Sequence, residues 1–429
     1  MAAQASNILP MTEDPIAPAP TNDLSADALV VGGGLIGLTT AIALASAGLS
    51  VALVDDVAPE KTLAPTFDGR ATAIAHASCQ LFRALGLYDG LAAAGQPILD
   101  IKVSDGRPGE RASPLSLHFH AGDIGRDPFG LMVENRHARH VLNQAIAGIP
   151  AITTIAPARV TGTSRDAAGA RAFLADGRTI AARLIVACDG RNSPLREEAG
   201  IRSIGWAYPQ VGIVTTVEHE RPHLGLAHEH FLPAGPFAIL PLTGNRSSLV
   251  WTEASDLAPL MMQMDKQGFD AELRRRFGDH FGDVRSVGPR FSYPLAFHIA
   301  AHFADTRLVL VGDAAHGLHP IAGQGLNLGL RDVAALAEVL AEGMRIGLDP
   351  GDGELLARYE RWRRLDSVVM GTVMDGLNRL FSTDLAPVRL ARDLGLAAVE
   401  RMPGLKRFFM HHARGTVGKL PRLLEGRPL

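Results

Sequence analysis

At 429 residues, with 47% hydrophobic and 20% charged, the chain is long enough for two or three packed regions and has an ordinary globular balance. Its net charge of −3 leaves no overall basic excess and argues against nucleic acid as a partner. Two cysteines, Cys79 and Cys188, cannot form a disulfide framework, which suits a reducing cytoplasm.

Residues 1–26 contain four prolines and little periodicity and read as a disordered tail; they lack the basic stretch and apolar core of a secretory signal. Residues 28–54 then run for 27 positions without a charge, long enough to cross a bilayer. Three consecutive glycines and β-branched ends fit a buried strand–helix–strand better, with strand 28–32, helix 36–47, a stop at Gly48 and strand 50–54. Apolar residues at three-to-four spacing predict a helical stretch over 70–95. Residues 101–130 read as strands with loops, 135–147 as a helix, and 152–163 and 171–175 as short strands. Alternating strand patterns fill 206–300 around a helix near 256–277, and 354–415 reads mainly as helix broken at Pro387 and Pro403.

The pattern predicts an α/β fold: a discontinuous Rossmann-like domain (27–100, 128–203 and 303–345), an inserted β-rich region (101–127 and 204–302) and a C-terminal helical region (346–429). A ligand belongs where these parts meet.

Three motifs carry chemistry. Gly32-x-Gly34-x-x-Gly37 follows one strand and opens a helix, and Asp55 ends the next strand 18 residues after Gly37. That spacing suits a pyrophosphate at the helix N-terminus and an acid on a ribose hydroxyl, without separating NAD from FAD. "LIVACDGRNSPLR" at 184–196 ends a buried strand in Asp189-Gly190, where composition alone reads as a turn. "VGDAAHGLHPIAGQGLNLGLRD" at 311–332 places Asp313 at a strand end to accept from a polyol, then Gly323-Gln324-Gly325 as nearly bare backbone for a flat ring. The helix starting there aims its positive end at the same spot.

Together these motifs resemble the three fingerprints of FAD-dependent aromatic hydroxylases of the para-hydroxybenzoate hydroxylase fold. "DGRATAI" (68–74), "VENR" (133–136), "GPFAILPL" (235–242), "SSLVWT" (247–252), "HPIAGQGLNLGLRDVAAL" (319–336) and "NRLFSTD" (378–384) narrow the resemblance to the ubiquinone-biosynthesis hydroxylase family, over roughly 25–415. The resemblance implies FAD, with Gly32, Gly34, Gly37 and Asp55 on its ADP half and Arg70 and Arg136 near the pyrophosphate or ribityl chain. Asp189 and Gly190 would line the path of an NAD(P)H donor, and Asp313 would bind the ribityl. Pro320, Gly323, Gln324 and Gly325 would border the flavin ring, with Asn327 behind. Asp55 replaces the more usual Glu, and Cys188 stands where Ala or Gly is common and reads as packing.

The implied reaction is hydroxylation of a polyprenyl-phenol ring with O2 through a C4a-hydroperoxyflavin, with NAD(P)H or an electron-transfer partner as donor. A flavin reductase or dehydrogenase, or an FAD-containing scaffold of a quinone-synthesis complex, are the alternatives. No HExxH, CxxC or GxSxG occurs, no metal site is expected, and no catalytic base is named. His316 and His319 lie near the expected flavin; His228 and His230 share one strand face. Phe231, Phe237, Ile239, Leu240, Pro241 and Trp251 are candidates for the substrate side, of which alternation lets about half face a ligand. From Leu380 on, nine Lys/Arg stand against four Asp/Glu, and "LKRFFMHHAR" (405–414) fits either peripheral membrane contact or a solvated face over a helical core.

Overall fold

The computed structural model describes residues 24–64, 68–110, 113–319, 321–383 and 385–429. The uncharged run folds as strand Leu24–Val31, helix Leu35–Ser46 and strand Val51–Val54. The helix is apolar all round, and Gly37 to Leu44 are buried, because it packs on the sheet beneath a second layer of helix. Among the described residues no helix is long and apolar enough to cross a membrane.

Around this unit an eight-stranded sheet forms, with a central path running 304–305, 308–310, 179–187, 24–31, 51–54 and 152–155. The strands at 179–187, 24–31, 51–54 and 152–155 run parallel, and near-continuous apolar sequence is what a sheet covered on both faces requires. Its outer cover is the helix Gln324–Arg345, buried along most of its length.

A nine-stranded sheet is built mainly from 203–300, with the long strand Ser203–His219 pairing to Arg246–Ala254 and Phe291–Ala300. Strands Asp100–Asp105 and Leu117–His120 join its edge, the first running parallel to Leu226–Leu232. The helices Ala258–Gln263 and Lys266–Phe277 cover one face through Phe269, Leu273 and Phe277 against Phe237, Ile239 and Trp251.

Two expectations change. The first strand starts at Leu24, earlier than its apolar run, because Leu24 to Ala26 pair with Ile180 to Ala182. The stretch read as helix over 70–95 begins instead as strand Ala71–Ala75, and helix starts only at His76. The alanines tolerate either state, and antiparallel pairing with Gly130–Glu134 decides for strand. The helix expected at 135–147 is present as Asn135–Ala147.

One buried ion cluster ties the layers together. Asp332, fully buried on helix Gln324–Arg345, accepts from His316 Nε2 at 2.6 Å, Arg363 Nε at 2.7 Å and the Gly312 amide at 3.0 Å. Arg363, on helix Gly353–Phe381, also donates to Asp366 at 2.7 Å. Burial pushes the Asp332 carboxyl up, but His316 and Arg363 outweigh it and hold the group below the usual carboxylate range. Its contribution to stability is therefore present above the unfolded carboxylate value and lost as pH falls through the folded one.

Arg363→Met should lower unfolding free energy by about 3–5 kcal/mol, since Asp332 would be left under-compensated in the core. Urea unfolding monitored by circular dichroism measures this; a change below about 1 kcal/mol would contradict the role assigned to the cluster.

Candidate functional site

The three glycine-containing turns meet at adjoining strand ends. Gly32 has φ +108, and a Cβ there would stand 2.3 Å from the Cys188 carbonyl oxygen, just before Asp189. A Cβ on Gly37 would lie 1.7 Å from the Gly32 carbonyl oxygen, so no side chain fits. Ile36 packs between Gly312 and Gly329, where added Cβ atoms would come within 3.1 and 2.7 Å of it. Arg196 Nη1 donates to the Ala314 carbonyl at 2.9 Å and joins the second turn to the third. Cys188 is a packing residue, with Sγ 3.6 Å from Thr40 Oγ1.

Where a ligand would lie, the backbone is open. A Cβ on Gly34, Gly190 or Gly325 would meet nothing within 4 Å. Gly34 is the N-cap of helix Leu35–Ser46 and Gly323, in the left-handed region at φ +61, is the N-cap of helix Gln324–Arg345; neither end has a side-chain cap. Two helix N-termini thus present amides and partial positive charge to open space.

The carboxylates are arranged around this space. Asp55 accepts from the Gly33 amide and from Val57 N at 2.7 Å, while burial raises its pKa. Asp313 is exposed although its neighbours from Leu308 to His319 are nearly all buried, so its side chain leaves the sheet at the strand end. Asp189 accepts from Leu195 N at 3.2 Å, and its buried Oδ1 has no hydrogen-bond partner among the described residues. Burial raises that carboxyl too, against Ser193 and the Leu195 amide.

Asp68 anchors the basic side. Arg70 grips it through two nitrogens at 2.9 and 3.0 Å, and its half-exposed guanidinium lies 5.1 Å from the Tyr293 ring and within range of the Asp313 charge. Asn135 Nδ2 and Arg139 Nη1 donate to the same carboxylate at 3.0 and 3.1 Å. Burial opposes ionisation of Asp68, and the Arg70 and Asn135 bonds overcome it to hold the carboxyl well below its usual range. Sequence reasoning chose Arg136, which is half exposed and stands 3.6 Å from Glu134. It missed the nearly buried Arg139, although Asn135 and Arg139 are four apart and share the inward helix face.

Asn327, expected behind the flavin, staples backbone segments together. Its Oδ1 accepts from Ala75 N at 2.8 Å and Ser78 Oγ at 2.9 Å, and its Nδ2 donates to Ala73 O at 2.9 Å. That fixes strand Ala71–Ala75, which follows Arg70, against Gly323 to Gln324. Pro320 lies outside the described residues. His316 is committed to Asp332, whereas both ring nitrogens of the buried His319 lack partners among the described residues and its ring meets Tyr208 edge-on at 5.2 Å. His228 and His230 share a face as expected, both bonding Ser104 Oγ at 2.8 Å.

Two helix N-termini without side-chain caps, the outward Asp313 carboxylate, a cradle at Gly34 and the Asp189 Oδ1 left without a partner among the described residues fit an extended dinucleotide. The FAD binding domain family matches residues 25–372. Ubiquinone hydroxylase UbiL of Rhodospirillum rubrum is 56% identical over 411 residues, covering 95% of this chain and 94% of that protein. The chain belongs to the FAD-dependent hydroxylases of ubiquinone biosynthesis. The 3-demethoxyubiquinol 3-hydroxylase of Escherichia coli, another relative of this hydroxylase, is 33% identical over 389 residues, 90% of this chain and 97% of that one. The hydroxylase has the fold seen in the crystal structure of p-nitrophenol 4-monooxygenase PnpA from Pseudomonas putida DLL-E4, with TM-score 0.75 at 18% identity over 92% and 99% of the two chains. Its cofactor is FAD.

Desolvation pushes His319 down to about 4, so it should stay neutral from pH 8 to 5.5, with no movement of its imidazole Cε1–H resonance, assigned by comparison with His319→Gln. The folded value lies below the unfolded one, so its contribution to stability is present above about pH 6.5 and lost on acidification. A midpoint near 6.5 would contradict a dry environment for this ring.

Proposed function

We propose that the protein is an FAD-dependent monooxygenase that hydroxylates the aromatic ring of a polyprenyl-phenol intermediate of ubiquinone biosynthesis. The observation that supports the reading is that the three turns adjoin at neighbouring strand ends and leave Gly34, Gly190 and Gly325 unobstructed, in a chain 56% identical to a ubiquinone hydroxylase. When bound, FAD supplies the redox chemistry, with two electrons from NAD(P)H or an electron-transfer partner directed to O2, one oxygen atom entering the ring and the other leaving as water.

The chain's own part is binding, orientation and exclusion of water. Gly32, Gly34 and Gly37 would let the pyrophosphate approach the first helix, with Asp55 on the adenosine ribose. Asp313 would accept from ribityl hydroxyls, and Arg70, held rigid by Asp68, would face the same segment. Gly323 to Gly325 would give the flavin a flat backbone wall, with helix amides favouring negative charge on the ring. Asp189 and Gly190 would line the path of a donor that docks transiently, because only the first glycine pattern has a full strand–helix context.

A long apolar substrate makes surface attachment useful, and the C-terminal helices expose apolar side chains. Leu365, Val369, Val373 and Leu380 stand out along helix Gly353–Phe381, Leu390 and Leu394 along Ala386–Arg401, and Phe408 and Phe409 on Pro403–Arg414. Met410 packs inward while the two phenylalanines stay outside among basic residues, as a helix lying on an anionic bilayer does. We take this face to be a peripheral contact with the inner side of the cytoplasmic membrane.

Three measurements test these readings. Gly34→Ala should leave apoprotein stability within about 1 kcal/mol but weaken FAD binding at least about tenfold. Gly37→Ala should destabilise the fold itself by about 3 kcal/mol or more. Equal FAD affinity in wild type and Gly34→Ala would remove the first turn from the cofactor site. Anaerobic reduction followed by O2 and a short-chain 2-prenylphenol should give a product heavier by one oxygen, and consumption of donor without that product would favour a reductase. In flotation with anionic vesicles, wild type should rise with the lipid and a Leu390→Glu/Leu394→Glu/Phe408→Glu variant should not; equal flotation would end the membrane assignment. Deleting the tail is a poorer test, because Leu423 and Leu424 are buried in the main core.

A further inference from the structure

Glu229 stands between Ala227 and Phe231 on strand Leu226–Leu232, and strand alternation sends all three side chains to one face. Ala227 and Phe231 belong to the core that also holds Met132, Ile321 and Phe381. The register partners of Glu229 are Val103 and Ala238, and Val103 packs on that same core. The neighbours His228 and His230 point the other way, toward Ser104 and His280.

This face of the nine-stranded sheet packs, through Ala227 and Phe231, in one cluster with Ile321, Ala71 and Ala73, and it carries Tyr293 four strands away. Ala238 pairs with Val250, so Ser248 and Thr252, two residues to either side, share the face, and Thr252 pairs with Gly212, which pairs with Tyr293. Tyr293 is the ring beneath the Arg70 guanidinium. The face also carries Asp105, Gln210 and Arg246, which have hydrogen-bond partners, whereas the Ser248 and Thr252 hydroxyls are buried without partners among the described residues. Glu229 is partly buried and has no hydrogen bond or ion pair among the described residues, and desolvation, with no compensating partner, pushes its carboxyl up to about 8.

Other charges on elements packed against this face have partners, although Asp393 Oδ1 and Arg414 Nε are buried without one among the described residues. Asp105 is taken by Arg392 at 2.5 Å, and Asp393 accepts from Ser113 Oγ at 3.1 Å. Arg414 donates to the carbonyls of Ala121, Ile124 and Asp127, and Arg70 is bound to Asp68. Glu134 lies near Arg136 and Arg246, and Asp375 accepts from Tyr208 at 2.7 Å.

We propose that Glu229 is a catalytic residue whose carboxylate accepts the proton of the substrate's ring hydroxyl. The proposal rests on the phenol reading above. The phenolic O–H bond breaks and a carboxyl O–H bond forms, leaving the electron pair on the phenol oxygen, where it enriches the ring toward an electrophilic oxygen atom. Once that atom is in the ring and the ring C–H proton has left to water, the carboxyl returns its proton to the phenolate. Glu229 itself is neither oxidised nor reduced. An ordinary glutamate, near 4.3, is a weak base toward a phenol near ~10; a carboxyl at about 8 is far better matched.

The test uses full-length holoenzyme, a short-chain 2-prenylphenol, and E229Q, which keeps size and hydrogen bonding but cannot take a proton. Wild-type kcat should rise with pH through an ionisation near 8. E229Q should retain FAD, bind the phenol within about threefold by flavin-absorbance titration, lose about 100-fold or more in kcat and show a flat pH profile. An E229Q enzyme with wild-type kcat and the same pH rise overturns the proposal. Should E229Q lose FAD, the wild-type profile decides, and no ionisation between pH 6.5 and 9.5 rejects it. A wild type that hydroxylates no phenol fails the underlying reading, a result distinguishable from failure of this residue alone.

Discussion

Backbone at three strand ends must approach more closely than any side chain allows. Gly37 sits on the Gly32 carbonyl, Gly32 on the Cys188 carbonyl, and Gly329 beside Gly312 and Ile36. These contacts bring segments nearly 300 residues apart in sequence together and leave Gly34, Gly190 and Gly325 without side-chain neighbours. The rest of the molecule serves that approach. The parallel sheet aligns the strand ends, the helix Gln324–Arg345 closes over them, and Asp332 bonds the Gly312 amide so that the third turn cannot drift.

Charge is handled by the same economy of placement. Asp332 and Asp68 are both buried carboxylates kept ionised by several donors, the first by His316 and Arg363 and the second by Arg70, Asn135 and Arg139. Each fixes cationic groups where the backbone alone would leave them free. Asp189, Asp313 and Glu229 are different. Asp189 keeps a buried oxygen without a partner among the described residues, Asp313 is exposed, and Glu229 has no hydrogen bond among the described residues.

Local pattern disclosed the elements whose spacing has a single meaning. Helix Asn135–Ala147 and the strand–helix–strand at the start follow from periodicity and glycine placement. Strand Ala71–Ala75 did not, because its alanines are compatible with helix and only the partner strand Gly130–Glu134 selects the extended form. Arg139 escaped because its meaning depends on Asp68, 71 positions away. Of the aromatic and aliphatic candidates on the insert, register divides them: Phe231 and Leu240 pack on the groove side, Phe237, Ile239 and Trp251 on the helix side. Glu229 between two histidines gives no sign of its isolation until that register is known.

Hydrogen exchange of the apoprotein with and without added FAD tests the central claim most directly. The account requires amides around Gly32 to Gly37, Arg70 to Ala75, Asp189 to Gly190 and Gly312 to Asn327 to gain protection together on one titration curve. Protection confined to the first glycine turn and Asp55, with the later segments unchanged, would contradict a single groove built from all three.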